Sequence, residues 1–376
     1  MASPAKNSRS RGANIKLLIV DDSALMRKLL VNIFSQFDDF ELQTARDGLE
    51  ALAALHRFQP DVISLDINMP GKNGLECLER IMIERPTPVV MFSSLTAIGA
   101  ATTLEAMALG AVDHMAKPDG ATSLNLDSIA AELVPKIRVA AGAKVRRSLG
   151  LSQRLREQNT GLGQQKPAVT TAGKVTEECG VVLIGVSTGG PRTLEEILPE
   201  LPADFPWPVV VAQHMPASFT YALAKRMDSL CRLAVVEVTR PLKLEAGHVY
   251  IAKGDADIVL SRRPQGVMVM PVPSHQDYLW HPSVDLLVKS AQSVYAAESI
   301  IGVLLTGMGR DGASEMTRLR NQGGHTIAES EVSTIVNGMP RELIENGGAE
   351  VVLPVEEIAP QLIRWLQAPL HDMGND

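Results

Sequence analysis

Three side chains of complementary chemistry each follow a short apolar run that closes in a turn. Ser187 lies in Ile184-Gly185-Val186-Ser187-Thr188-Gly189-Gly190-Pro191, directly after Val181-Val182-Leu183. His214 lies in Val211-Ala212-Gln213-His214-Met215-Pro216, and Asp311 in Leu304-Leu305-Thr306-Gly307-Met308-Gly309-Arg310-Asp311-Gly312. A hydroxyl, an imidazole and a carboxylate are the parts of a nucleophile, its general base and the group that fixes the base's tautomer. A serine on a tight strand-to-helix turn exposes its Oγ on one side. The helix read over Thr193 to Leu198 would then aim its first amides at that oxygen. Each residue alone has an ordinary explanation. A lone histidine is more often packed or solvated than a base, and an aspartate ahead of a helix is often its cap. Their shared position at strand ends favours the chemical reading. Gly185-Val186-Ser187-Thr188-Gly189 formally matches the α/β-hydrolase elbow, but that fold orders its triad Ser, acid, His. The order here is Ser, His, Asp, which excludes it. A dinucleotide fingerprint fails too, because no acidic residue ends a second strand at the required distance.

A second constellation lies in the first third of the chain. Asp21 and Asp22 follow Lys16-Leu17-Leu18-Ile19-Val20, and Asp66 follows Asp61-Val62-Ile63-Ser64-Leu65. Three carboxylates at one edge make a hard oxygen site suited to Mg2+. Ser93 ends the run Pro88 to Phe92, and Lys117 follows Ala111 to Met115. Acid, metal, hydroxyl and ammonium together can accept and hold a phosphoryl group. Acidic residues in loops are ordinarily just solvated; three of them joined by a hydroxyl and an ammonium at strand ends are not.

The elements that must position these groups follow from the alternation of apolar runs and amphipathic stretches. Five strand–helix units fill the region 13–137, which predicts a doubly wound parallel sheet. Helices are expected over 23–37, 48–58, 74–85, 99–109 and 126–137. Residues 138–177 are rich in Ala, Arg, Gln, Gly and Lys and read as a linker whose first part continues a helix. The region 178–370 carries buried-strand runs at 181–185, 208–212 and 300–305, with shorter ones at 247–252, 258–261 and 266–270, the last two as a hairpin. It reads as a second, mostly parallel, doubly wound α/β domain. In a parallel sheet the C-terminal strand ends share one edge, where ligands bind. The segment Val112-Asp113-His114-Met115-Ala116 carries little information of its own.

Composition narrows the function classes. The chain has 376 residues, 45% of them hydrophobic and 21% charged, as in globular domains. A net charge of −7 disfavours nucleic acid as a partner. Cys77, Cys179 and Cys231 form neither a metal pattern nor a disulfide framework. No apolar stretch approaches the roughly 18 residues of a membrane span, and Met1 to Asn14 lacks a signal-peptide core. A cytoplasmic protein with no membrane insertion is expected.

Val20-Asp21-Asp22-Ser23, Leu65-Asp66-Ile67-Asn68-Met69-Pro70-Gly71, Ser93-Ser94 and Lys117-Pro118 resemble a response-regulator receiver domain. The resemblance implies a flavodoxin-like fold with Asp66 as phosphoacceptor. Asp21, Asp22, Asp66 and the Asn68 carbonyl would be Mg2+ ligands, with Ser93 and Lys117 on the phosphoryl group. The Ser187, His214 and Asp311 segments, with His281-Pro282-Ser283-Val284-Asp285, resemble the chemotaxis protein-glutamate methylesterases, the CheB family. That implies Ser187 as nucleophile, His214 as base, Asp311 as its orienting partner and the Thr188 and Met308 amides as oxyanion donors. It also implies methyl-accepting chemoreceptors as substrates, methanol release, deamidation of receptor glutamines and phosphorylation by a histidine kinase of the CheA type. A cofactor is expected for the receiver only. A helical protein substrate calls for a shallow, open cleft. Two positions depart from the family pattern: Lys253 replaces a familiar Pro before Gly254, and His281 stands where Arg is frequent. A receiver-controlled binding module without covalent chemistry is the alternative, but it would need neither His214 nor Asp311.

Overall fold

Strand-forming runs and amphipathic helices alternate through both halves of the chain, and each half closes around its own sheet. The structure, a computed structural model, describes residues 14–69, 74–93, 96–117, 126–145 and 180–367. The greater part of the expected linker, Cys179, Pro70-Gly71, Ser94, Pro118 and both chain ends lie outside the described residues.

In the N-terminal half, β1 (Ile15–Val20), β2 (Phe40–Ala45), β3 (Val62–Asp66), β4 (Val89–Ser93) and β5 (Asp113–Ala116) form a parallel sheet of order β2-β1-β3-β4-β5. Helices α1 (Ala24–Phe34), α2 (Gly48–Phe58), α3 (Gly74–Glu84), α4 (Ala97–Leu109) and α5 (Leu126–Ala141) cover its faces. Successive β-residues point to opposite faces. Accordingly Leu18 and Val20 enter one apolar cluster, and Leu17 and Ile19 the other. Ser23 caps α1 by accepting from the Met26 amide, and Asp47 caps α2 through Leu49 and Glu50. Helix α5 runs on to Ala141.

In the C-terminal half, seven parallel strands form a sheet of order β15-β14-β13-β6-β7-β10-β8. They are β6 (Val181–Val186), β7 (Val209–Gln213), β8 (Ala234–Val238), β10 (His248–Ala252), β13 (Ile300–Leu304), β14 (His325–Glu329) and β15 (Val351–Leu353). A small antiparallel sheet joins β9 (Leu242–Lys243), β11 (Ala256–Arg263) and β12 (Gly266–Pro273), so the expected hairpin is present and longer than its apolar core. The helices are α6 (Gly190–Ile197), α7 (Ala217–Leu230), α8 (Val284–Gln292), α9 (Ala313–Asn321), α10 (Met339–Glu345) and α11 (Val355–Gln367).

The two halves share apolar surface. Helix α4 packs on α6 and α7. Its Ala100 and Leu104 join Phe219, Leu223 and Met227 of α7 in one buried cluster. The His114 ring lies 4.4 Å from that of Phe219. Burial pushes its pKa down to about 4, so the imidazole is neutral at this contact. Truncating a buried leucine costs about 2–5 kcal/mol. Because Leu104 is buried by the other half, that loss falls on docking. We expect Leu104→Ala to raise the radius of gyration measured by solution X-ray scattering; an unchanged radius contradicts this account of the contact.

Candidate active site

The register of three neighbouring strands assembles the first constellation. Val186, the last residue of β6, pairs with Gln213, the last of β7. On the other side Gly185 pairs with Leu304 of β13. Ser187 therefore leaves the sheet between its neighbours: its amide donates to Thr306 O at 3.0 Å, while the His214 amide donates to Val186 O at 3.0 Å. Gln213 braces both turns, its Nε2 donating to Ser187 O and His214 O at 3.0 Å each. Gly190 is required here, since a Cβ would come within 1.9 Å of Gln213 Oε1. Gly189 holds φ at +82°, which favours glycine, and starts α6 directly behind Ser187.

His214 Nε2 lies 2.8 Å from Asp311 Oδ2. An ionised carboxylate only accepts, so Nε2 donates this bond and Nδ1 is the ring nitrogen it leaves free. Nδ1 is buried without a hydrogen-bond partner in the structure. Asp311 is 3% exposed and does not cap its own helix, the expectation set beside its chemical role. It faces the N-terminus of α8 instead. There it accepts from the Val284 amide at 2.7 Å, the Asp285 amide at 3.0 Å and Ser283 Oγ at 3.2 Å. Burial acts to raise the Asp311 pKa. The His214 bond and charge, with the two amides, outweigh it and hold the carboxylate below its ordinary value. Neither the Thr188 nor the Met308 amide is used in another hydrogen bond among the described residues. A cavity of about 450 Å3 opens beside Met308, walled by Trp280, Leu279, Arg310 and Arg341 and, from the N-terminal half, Val139.

The second constellation also converges. Carboxylate oxygens of Asp21, Asp22 and Asp66 lie within 4.8 Å of one another. Lys117 Nζ is 2.9 Å from Asp21 Oδ2 and 2.8 Å from Asp66 Oδ2. Burial raises the Asp66 pKa despite this lysine. Burial also acts against the Lys117 charge, but its hydrogen bonds to Asp66 and Asp21 prevail and raise its pKa. Three carboxylates against one ammonium leave excess negative charge on an all-oxygen donor set, which fits a hard divalent cation. Ser93 Oγ, at the end of the strand that pairs with the one ending in Asp66, is buried and unpartnered. The Asn68 amide donates to Asp66 Oδ1 at 3.1 Å. Arg27, which carried no signal in the sequence, ties the Asp21 and Asp22 carbonyls at 2.7 and 3.0 Å.

Residues 182–362 match the CheB methylesterase family, and residues 17–126 the response regulator receiver domain. The protein-glutamate methylesterase/protein-glutamine glutaminase 3 of Rhodospirillum rubrum is 55% identical over 358 residues, covering 93% of this chain and 96% of the relative. A namesake, number 2 of Rhodopseudomonas palustris, is 53% identical over 365 residues, covering 95% of this chain and 100% of the relative. The chain belongs to the CheB methylesterase family. A solved catalytic domain of CheB methylesterase from Thermotoga maritima is 41% identical, covers 50% of this chain and 98% of that one, and superposes with a TM-score of 0.48.

In this CheB family member a side-chain hydrogen bond ties the receiver to the turn that bears Ser187. Thr188 Oγ1 donates to Asp113 Oδ2 at 2.7 Å, and both residues are buried. The 112–116 segment, uninformative in the sequence, thus supplies the receiver's grip on the residue after Ser187. Its partner is 75 residues away, beyond any local pattern.

Glu329, at the end of β14, was also invisible in the sequence. It is fully buried, accepting from the Thr306 amide at 2.8 Å and from Ser333 Oγ at 2.9 Å. It thereby holds the start of the turn that carries Met308. Burial pushes its pKa up to about 7, against those two bonds. Between the ordinary carboxylate pKa and about 7 the folded chain keeps a proton that the unfolded chain has lost. Stability should therefore fall as pH rises through this window, by on the order of 3 kcal/mol. Glu329→Gln should flatten that fall in denaturant titrations between pH 5 and 7; an unaltered slope would place the buried proton elsewhere.

Proposed function

We propose that this chain hydrolyses the γ-methyl esters of glutamate side chains on methyl-accepting chemoreceptors and deamidates specific receptor glutamines, under control of its phosphorylated receiver. The observation that carries the reading is the His214 Nε2–Asp311 bond, which leaves Nδ1 free and buried next to the strand end that bears Ser187. Ser187 Oγ attacks the ester carbonyl and passes its proton to His214 Nδ1. The Thr188 and Met308 amides donate to the oxyanion, ordinarily the largest single catalytic term. The C–O bond then breaks, and methanol leaves with the proton from His214. Water attacks the acyl-serine, gives its proton to the same nitrogen, and collapse frees the glutamate carboxylate and restores the serine. With an amide substrate the leaving group is ammonia. Asp311 stabilises the imidazolium that forms twice in the cycle.

Asp66 is the proposed phosphoacceptor, with a histidine kinase of the CheA type as donor. Asp21, Asp22, Asp66 and the Asn68 carbonyl would hold Mg2+, which neutralises charge on the incoming phosphoryl group. Lys117 and Ser93 would bind its oxygens. Both terminate strands, and the strand before Lys117 begins at Asp113. Phosphorylation adds roughly −1.5 to −2 charge, draws on Lys117 and Ser93, and so disturbs the strand that grips Thr188. Docked and released receivers are then two states whose populations shift. A cytoplasmic site of action is part of this proposal, since the kinase and the receptor helices would be met there; no helix among the described residues is long and apolar enough to cross a membrane.

Ser187→Ala should abolish methanol release from methylated receptors without changing the unfolding temperature. Asp113→Ala should raise the activity of the unphosphorylated chain about tenfold, since a hydrogen bond to a charged group contributes about 1.5–3 kcal/mol. Residual release in the first variant contradicts the assignment of the nucleophile. Unchanged basal activity in the second contradicts control through Thr188.

A further inference from the structure

A second imidazole–carboxylate pair lies behind the first. Asp257, in β11, belongs to the antiparallel sheet rather than to the strand edge that carries Ser187, and is 1% exposed. Three donors from one loop meet its carboxylate. The His275 amide reaches Oδ2 at 2.9 Å, His281 Nδ1 reaches Oδ1 at 2.9 Å, and the Ser283 amide reaches Oδ1 at 2.8 Å. Asp257 thus ties residues 275, 281 and 283 to one point.

That loop touches the reacting centre twice. Ser283, fully buried, donates Oγ to Asp311 Oδ1, and the next two amides complete the Asp311 shell. Trp280 lies parallel to the His214 ring, 6.1 Å between centroids and 8° between planes. It also fills the space over Gly309, where a Cβ would come within 2.6 Å of the indole. A carboxylate held by one hydrogen bond can rotate. Asp311 must present Oδ2 to His214 Nε2 while its other oxygen stays occupied, and the Ser283 to Asp285 backbone sets that orientation.

We infer that Asp257 and His281 are positioning residues for the Ser187 chemistry, clamping the loop that aligns both Asp311, through Ser283, and Trp280, against His214. The inference rests on the esterase reading. His281 acts as a hydrogen-bond donor to Asp257 and takes no part in proton transfer to substrate. A guanidinium at this position would also donate to the carboxylate, whereas an alanine would leave Asp257 short of a donor in a buried setting.

The test uses the full chain and two readouts: the rate at which a fluorophosphonate phosphonylates Ser187 with loss of fluoride, and steady-state hydrolysis of a small soluble ester. Relative to wild type, His281→Ala and Asp257→Asn should each slow phosphonylation and lower kcat about tenfold or more, with KM for the small ester within twofold. His281→Arg should recover to within threefold of wild type. Unfolding temperatures report folding separately, so that rates are compared per folded molecule. Phosphonylation at the wild-type rate in either His281→Ala or Asp257→Asn overturns the inference, as does a His281→Arg chain as slow as His281→Ala. If wild-type Ser187 itself resists the phosphonate, the esterase reading fails rather than the clamp.

Discussion

The parallel register of β13, β6 and β7 is the constraint on which the rest depends. Parallel strands deliver their C-terminal ends to one edge. With Gly185 opposite Leu304 and beside Ala212, the three turns that follow emerge as immediate neighbours. A slip of one residue would exchange the two faces of each strand. Ser187 and His214 would then part, and Val182 and Val186 would pass from one buried apolar cluster to the other. Core packing and site geometry are therefore fixed together, because the register that decides which cluster each β6 residue enters also sets the Ser187 and His214 turns side by side.

Around that frame, buried charge is admitted only where it is answered. Asp311 has four donors in its shell. Asp257 has three, and Asp66 shares Lys117 with Asp21. A buried unpaired carboxylate would be costly, and a satisfied one is stiff. The same rule links the halves of the chain: Asp113 is buried at the receiver surface because Thr188 donates to it. The two halves thus meet on the residue that follows Ser187, whose hydroxyl is bonded to the receiver.

Much of this was legible in the chain itself. Continuous apolar runs mark β1, β3, β4, β6, β7 and β13, and the ends of those strands and of β5 carry every residue of both constellations. Strands β8, β14 and β15 escaped notice. Ala234 to Val238 is an edge strand with only partial burial, His325 to Glu329 mixes polar residues into a buried run, and β15 has three residues. Asp113, Asp257, Gln213 and Glu329 escaped for another reason. Their meaning lies in partners brought near by the fold, 75 residues away for Asp113 and 24 from His281 to Asp257. A residue type at a strand end advertises chemistry; a residue that braces such an end looks like any other polar side chain. His281 showed only as a departure from the family pattern, and its bond to Asp257 gives that departure a physical content.

The most direct test of the account joins its two halves in a single assay. Methanol release from methylated receptor membranes is measured for the wild-type chain before and after adding a small acyl-phosphate donor with Mg2+. The account predicts a low rate that rises on addition, as the receiver's hold on Thr188 is released. A folded chain that releases no methanol under either condition, or releases it at one rate regardless of the donor, would contradict it.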